Sequence, residues 1–373
     1  MRQFTNTGNI RFSNRIGRRE FLFAGLLSGS GLLKDRLASQ WYFLLGKTAA
    51  NARAQSAPKQ ATVLLTPNID FFIRNHFDTP RINAETWNLD IDGLVSAPMK
   101  VSYSDLLLRG SVRRAVTVEC AGNGSGRAGV STAMWSGVPL AELLKQVGPR
   151  PQATAVVFYG TDVSGGEVVP LGTHFARAIP LEKAMDPSTL LVYEMNGEPL
   201  PPEHGFPLRA LVPGWYGMDS VKWLTRVEVL GQPFEGYFQR EEYMAVRANG
   251  ERQPVTRMQV NSKFFRPSEG EEIRVKTYRL EGVAWAGDSR VAKVEVRIDP
   301  GGDWEATNLA PDKETMVWTP WSYNWNIARP GAYTLEVRAT DDEGRSQPEV
   351  RDPARKDFYE LNTPARISVN VLP

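Results

Sequence analysis

The 373-residue sequence contains one cysteine and three histidines, and these set what chemistry it can support. Cys120 lies in Val118-Glu119-Cys120-Ala121-Gly122-Asn123, where an apolar run passes into a glycine-rich loop. A single thiol excludes an intramolecular disulfide, a zinc site built on cysteines and a C-x-x-C-H haem attachment. His76, His174 and His204 leave few ligands for any other all-protein metal site. An isolated cysteine in an apolar strand is ordinarily inert core. At a strand end, however, a rigid support positions the side chain, and neighbouring glycines let a ligand approach the backbone. If the protein does redox chemistry, Cys120 is the candidate by elimination. The loop also holds Gly124-Ser125-Gly126-Arg127-Ala128-Gly129, which fits the dinucleotide fingerprint G-x-G-x-x-G. Its context is wrong, because the following stretch carries Ser131, Thr132, Gly137 and Pro139, opens no helix at once, and leads to no acidic residue at the required strand end.

The elements that must position Cys120 are of two kinds. Over residues 60–235, strand-like runs such as Val116–Cys120 and Ala155–Tyr159 alternate with short helical ones. Leu140, Leu143, Leu144 and Val147 fall on one face of a predicted helix over 139–147. Pro199-Leu200-Pro201-Pro202 and Val212-Pro213-Gly214 punctuate this region, which reads as mixed α+β without a regular βαβ repeat. Over 255–373 the period becomes two. Val294, Val296 and Ile298 alternate with Lys293, Glu295 and Arg297; Leu335, Val337 and Ala339 alternate likewise; Ile367, Val369 and Val371 make a last strand. With turns such as Asp299-Pro300-Gly301-Gly302 and no convincing helix, this half is predicted to be an all-β, immunoglobulin-like sandwich. The boundary falls between Leu230 and Met258.

Composition narrows the function classes. At 42% hydrophobic and 23% charged residues, the chain can build sizeable cores, and no apolar run is long enough for a polytopic membrane protein. Residues 1–54 hold nine of the 44 Lys and Arg but only two of the 42 Asp and Glu, so the remainder is net acidic. That argues against a general nucleic-acid binder. The basic start has its own logic. Gly17-Arg18-Arg19-Glu20-Phe21-Leu22, an apolar small-residue stretch to Leu33, and Ala52-Arg53-Ala54 are the parts of a bacterial export signal. The paired arginines resemble the twin-arginine type, which implies a cleaved leader over 1–54 and a periplasmic mature protein without a membrane span.

Six ordered segments then resemble one family. Val-Glu-Cys-Ala-Gly-Asn is similar to the molybdenum-cysteine motif of the sulfite oxidase family, which includes assimilatory nitrate reductases and bacterial sulfite dehydrogenases. Phe72-Ile73-Arg74-Asn75-His76, Trp135-Ser136-Gly137-Val138-Pro139-Leu140, the stretch from Ile179 through Tyr193-Glu194-Met195-Asn196-Gly197, His204-Gly205-Phe206-Pro207-Leu208-Arg209 with Val212-Pro213-Gly214-Trp215-Tyr216-Gly217, and Val221-Lys222-Trp223-Leu224 follow the family's order. The resemblance covers residues 65–373. It implies a molybdopterin-binding catalytic domain over 60–235 and an immunoglobulin-like dimerisation domain over 255–373, hence a homodimer.

By the same resemblance, one pyranopterin dithiolene holds the molybdenum and Cys120 supplies a protein sulfur. A thiolate is a soft anionic ligand suited to such a metal. Arg74, Asn75, Asp162, His204, Arg209 and Lys222 fall at cofactor-binding positions, since a buried pterin phosphate requires donors and cations. Tyr243 falls at the position of the active-site tyrosine and His76 beside the anion pocket. The implied reaction is oxygen-atom transfer that converts sulfite to sulfate. With no haem motif in the sequence, electrons pass singly to a separate acceptor, such as a periplasmic c-type cytochrome.

The sequence departs from the family at the anion pocket. Position 125 is Ser where most members carry an arginine, and Arg127 is the nearest replacement. The loop to Trp135 is shortened, and Arg355-Lys356-Asp357 is a poor local match for a substrate-facing arginine nearer the C-terminus. These changes leave the metal site in place and open a second reading: the same centre acting on a sulfane sulfur, another oxyanion, or a sulfoxide in the reducing direction. A third reading, a secreted non-catalytic binding module, would make the ordered motifs coincidence.

Overall fold

The computed structural model describes residues 63–373 apart from Ser125, Ala248, Asp312 and Lys313; the export signal expected over 1–54 lies outside them. Helix is scarcer than the mixed α+β expectation implies. Among the described residues there are four α-helices, each of four to eight residues, and the structure is mostly β. The reason lies in the punctuation: proline stands immediately before the helices Leu140–Val147 and Leu181–Met185, and few uninterrupted stretches remain for propagation. The helix Leu140–Val147 keeps the predicted face, with Leu140, Leu143, Leu144 and Val147 all buried. Gly148 ends it in the left-handed conformation at φ 64° while its N–H bonds the Leu144 carbonyl.

Two sheets build the first half. One runs in the order Met99–Ser102, Asn88–Gly93, Leu224–Leu230, Ala155–Val163, His174–Pro180, with a single parallel pair between Asn88–Gly93 and Leu224–Leu230. The other runs in the order Val112–Glu119, Val130–Pro139, Leu190–Met195, Glu198–Pro199, and Arg209–Leu211 also pairs with Leu190–Met195. Val130–Pro139 is buried at all ten positions because strands flank it on both sides and layers cover both faces. At Gly137 a Cβ would come within 2.1 Å of the Leu191 carbonyl oxygen, so only glycine permits this pairing.

The second half is two antiparallel-rich sheets packed face to face. Asn261–Arg266, Thr277–Trp285, Thr319–Asn326 and Asn308–Leu309 form one; Glu271–Ile273, Ala365–Val371, Gly331–Asp341, Val291–Ile298 and Glu305–Ala306 form the other. Leu280, Trp321 and Trp325 from the first meet Val296, Leu335, Val337 and Val369 from the second in one core. The halves are bonded to each other: Trp318 donates from its backbone to the Thr117 hydroxyl at 2.7 Å and from its indole to the Leu64 carbonyl at 2.7 Å. No helix among the described residues is long and apolar enough to cross a membrane.

Candidate active site

Cys120 follows directly on the strand Val112–Glu119. Its N–H bonds the Gly129 carbonyl at 2.8 Å and its carbonyl receives the Asn123 N–H at 2.9 Å, which folds the loop back on itself. The thiol borders a cavity of about 660 Å³, its mouth included. Burial pushes the Cys120 thiol up, and Arg74 acts in the opposite sense.

The walls bring together residues far apart in sequence. Arg74, Asn75 and His76 come from the segment after Phe71; Asp162 from the end of Ala155–Val163; His204 from the turn Pro202–His204; Arg209 from the first position of Arg209–Leu211; Lys222 from the approach to Leu224–Leu230. Lys222 Nζ donates to Asn75 Oδ1, and to the Glu203 carbonyl at 2.8 Å. Arg209 donates to the carbonyls of His204 and Ser220, both at 3.0 Å. The ring of His204 stands edge-on to Phe71, with Nε2 3.2 Å from the Asn68 carbonyl.

The electrostatics favour an anion. Arg74, Arg209 and Lys222 share the cavity with a single carboxylate, Asp162. Burial and then Arg209 hold Lys222 well below its ordinary value, burial brings Arg209 down to about 10, and burial with Arg209 brings His204 to about 4. Cations crowded in this way are relieved by a negative ligand. Two buried polar atoms of the cavity, Arg209 Nε and Asp162 Oδ1, have no partner in the protein, so a polar ligand that both accepts and donates fits here. Burial raises Asp162 to about 7, with Lys222 opposing.

On the other side, His76 Nε2 lies 2.5 Å from Tyr243 Oη, and the imidazole stacks on Phe175 at 4.4 Å. Burial, with Arg74, Lys222 and Arg177 adding, lowers His76 to about 3, while burial lifts Tyr243 well above its ordinary value. Both groups are therefore uncharged at neutral pH. Because folding depresses the His76 pKa, the stability it contributes is complete above the unfolded value of 6.5 and is lost as the pH falls toward 3. The loss approaches about 1.4 kcal/mol per pH unit. Urea unfolding of the parent and His76→Gln is expected to show the parent's advantage shrinking by about 2 kcal/mol between pH 7 and pH 5. A constant difference would show an imidazole that titrates as in water.

Residues 76–238 match the oxidoreductase molybdopterin binding domain, and residues 252–356 the Mo-co oxidoreductase dimerisation domain. Human mitochondrial sulfite oxidase is 34% identical over 325 residues, covering 78% of this chain and 58% of that protein. Nitrate reductase [NADH] 1 of Arabidopsis thaliana is 32% identical over 354 residues, covering 82% of this chain and 38% of that one. The chain belongs to the sulfite oxidase family of molybdenum oxidoreductases. It spans little more than half the length of the sulfite oxidases it matches. The fold is shared with the sulfane dehydrogenase SoxCD of Paracoccus pantotrophus, with a TM-score of 0.73 and 24% identity over 86% of this chain and 89% of that one.

Nine of the ten residues expected from the family motifs line the one cavity. Arg127 does not. Its Nε donates to Asn261 Oδ1 at 3.0 Å and its terminal nitrogens to the carbonyls of Gly124 and Thr363, leaving it 3% exposed. Two of these acceptors, Asn261 and Thr363, reach it from the second half of the chain and Gly124 from its own loop, so it cannot serve as the replacement anion-pocket cation. Arg355 is likewise occupied, bonding Asp357 at 2.7 Å and Glu360 at 2.9 Å.

Sequence reasoning missed Arg177, Asp219, Asn261 and Trp285. Arg177 and Asp219 form an ion pair of 2.8 Å with both side chains 0% exposed, and the Arg177 guanidinium lies 5.4 Å from the centre of the Tyr243 ring. The only local signal was a charge inside an apolar strand, in Phe175-Ala176-Arg177-Ala178.

Proposed function

We propose that this chain is a periplasmic sulfite dehydrogenase, exported by the twin-arginine route, that converts sulfite and water to sulfate, two protons and two electrons. The electrons pass singly to an external acceptor such as a c-type cytochrome. The observation that carries the reading is the cation-rich cavity bordered by the only thiol and holding the unpartnered buried atoms of Arg209 and Asp162. These residues fit a molybdenum held by one pyranopterin dithiolene. Cys120 would supply its protein sulfur, and Arg209, Lys222, His204, Asp162 and Asn75 would bind the pterin and its phosphate. When bound, that cofactor supplies two-electron oxygen-atom transfer. The chain itself binds and orients. Arg74 faces the anion as a fixed, always-charged fork. The uncharged His76–Tyr243 pair offers a preorganised donor that needs no reorientation, and Phe175 and Phe238 pack around His76 and keep water from it. The two-sheet second half is read as the immunoglobulin-like module of a homodimer, in keeping with its match to a dimerisation domain.

The test is sulfite-dependent reduction of ferricyanide and of cytochrome c by molybdenum-loaded protein. Turnover at micromolar sulfite is expected, and Arg74→Gln is expected to raise KM for sulfite by roughly 10- to 100-fold with a smaller change in kcat, since a charge-assisted contact to the substrate is lost. A second reading has its own support. Arg127 and Arg355 are both turned to other partners, so neither adds a cation to the anion pocket. No turnover on sulfite with molybdenum confirmed would overturn the first reading in favour of a less charged substrate, such as a sulfane sulfur or a sulfoxide.

A further inference from the structure

Glu119 precedes the thiol in sequence and is 1% exposed. Three N–H donors reach its carboxylate. Asn123 Nδ2 and Asn261 Nδ2 bond Oε1 at 3.0 and 3.3 Å, and the indole of Trp285 bonds Oε2 at 2.8 Å. Asn123 belongs to the thiol-bearing loop, where its own Oδ1 receives the Gly129 N–H at 2.9 Å. Asn261 and Trp285 belong to the second half of the chain, where they stand opposite each other on the paired strands Asn261–Arg266 and Thr277–Trp285. Neither borders the cavity. Asn261 is held in turn, its Oδ1 accepting from Arg127 at 3.0 Å and Gln347 at 3.2 Å.

A carboxylate so deeply buried is costly, and a glutamine would occupy the same space. What the carboxylate alone offers is acceptor capacity on both oxygens, matched to three N–H groups aimed at it; a carboxamide would set its own N–H₂ against one of them. We propose that Glu119 is a positioning residue for Cys120, and that through Glu119 the second domain, by way of Trp285 and Asn261, holds the thiol-bearing loop in place. A second domain assigned to dimerisation thereby becomes a structural part of the redox centre.

The test compares Trp285→Phe and Glu119→Gln with a control, Trp321→Phe. Trp321 is equally buried in the second domain, but its indole N–H has no partner to lose. In cofactor-free full-length protein, hydrogen exchange at the amides of Cys120, Asn123 and Gly129 is expected to quicken by about tenfold or more in both test variants, and by less than about twofold in the control. In loaded enzyme the thiolate-to-metal absorption band is expected to shift in the test variants alone. Their kcat should fall by roughly 10- to 100-fold with KM nearly unchanged, the pattern of a displaced supporting group. Parent-like exchange and an unmoved band in Trp285→Phe would overturn the proposal and make Trp285 packing only. Should Trp285→Phe fail to fold, Glu119→Gln leaves the second domain's core untouched and carries the same two readouts. The band depends on Cys120 as a metal ligand, whereas the exchange does not: quickened exchange in a protein that takes up no molybdenum would support the clamp while removing the cofactor reading.

Discussion

Cys120→Ser is expected to abolish turnover, a loss on the order of a thousandfold or more, since outer-shell substitutions at metal sites already cost roughly 10- to 100-fold. The substitution replaces a soft, ionisable sulfur with a hard hydroxyl that does not ionise at working pH, so in the proposed centre the metal would lose its anionic protein ligand. The fold should tolerate it. Cys120 is half-buried at the end of a strand, and its backbone bonds to Gly129 and Asn123 do not involve the side chain. A change in unfolding free energy within about 1 kcal/mol is therefore expected. Pterin released on denaturation should remain near parent levels, because Arg209, Lys222, His204 and Asp162 are untouched. Assays of turnover, molybdenum and released pterin on the same preparation check this. Full activity in the serine variant would remove Cys120 from the centre and with it the molybdenum reading.

The largest loss of stability is expected from Arg177→Met. Arg177 and Asp219 are both fully buried, and the guanidinium also donates to the carbonyls of Phe238 and Val255. Asp219 Oδ2 already lacks a partner, so removing the arginine strands a carboxylate in the interior along with two carbonyls. Breaking a buried pair from one side costs about 3–5 kcal/mol. Removing both charges, in Arg177→Met with Asp219→Leu, is expected to recover about 2 kcal/mol or more of that loss, because no uncompensated charge is left behind. Urea midpoints of the parent, the two single variants and the double variant give the coupling directly. A single variant within about 1 kcal/mol of the parent would show that water or a shifted proton compensates the pair. The same substitution removes the cation beside the Tyr243 ring, whose backbone sits at φ 52°, a left-handed conformation unusual for a bulky side chain. Tyr243 is held there by the Tyr359 hydroxyl, which receives its N–H at 3.2 Å, and by His76. Loss of Arg177 is thus expected to loosen the cavity-lining Tyr243 as well as the fold.

Local pattern carried a good deal of this protein. The leucines of Leu140–Val147 repeat at helical spacing, and every one is buried. Leu335, Val337 and Ala339 alternate and lie at the centre of the second core. The thiol-bearing loop and the cavity-lining segments could be placed because each is a short contiguous motif that resembles one of the sulfite oxidase family, in the same order. Other features have no local trace. A composition with strand and helix alternating read as mixed α+β, whereas proline before the short helices keeps helix scarce.

Read alone, the amino-acid order supplied the candidate side chains, one thiol, a few cations and two histidines in ordered motifs, together with the periodicities that turn apolar faces inward. Where the charges point became visible only in the folded chain. Arg127 looked like a spare cation for the anion pocket, yet its acceptor Asn261 stands 134 residues away. Glu119 looked like part of a motif, yet its nearest donor, Trp285, stands 166 residues away. A strand or helix pattern extends over some ten residues and says only that a side chain faces inward. Whether a buried charge meets a partner depends on which distant strand packs against it, and in the low-dielectric interior that single meeting decides whether the charge is available to a ligand or consumed by the fold.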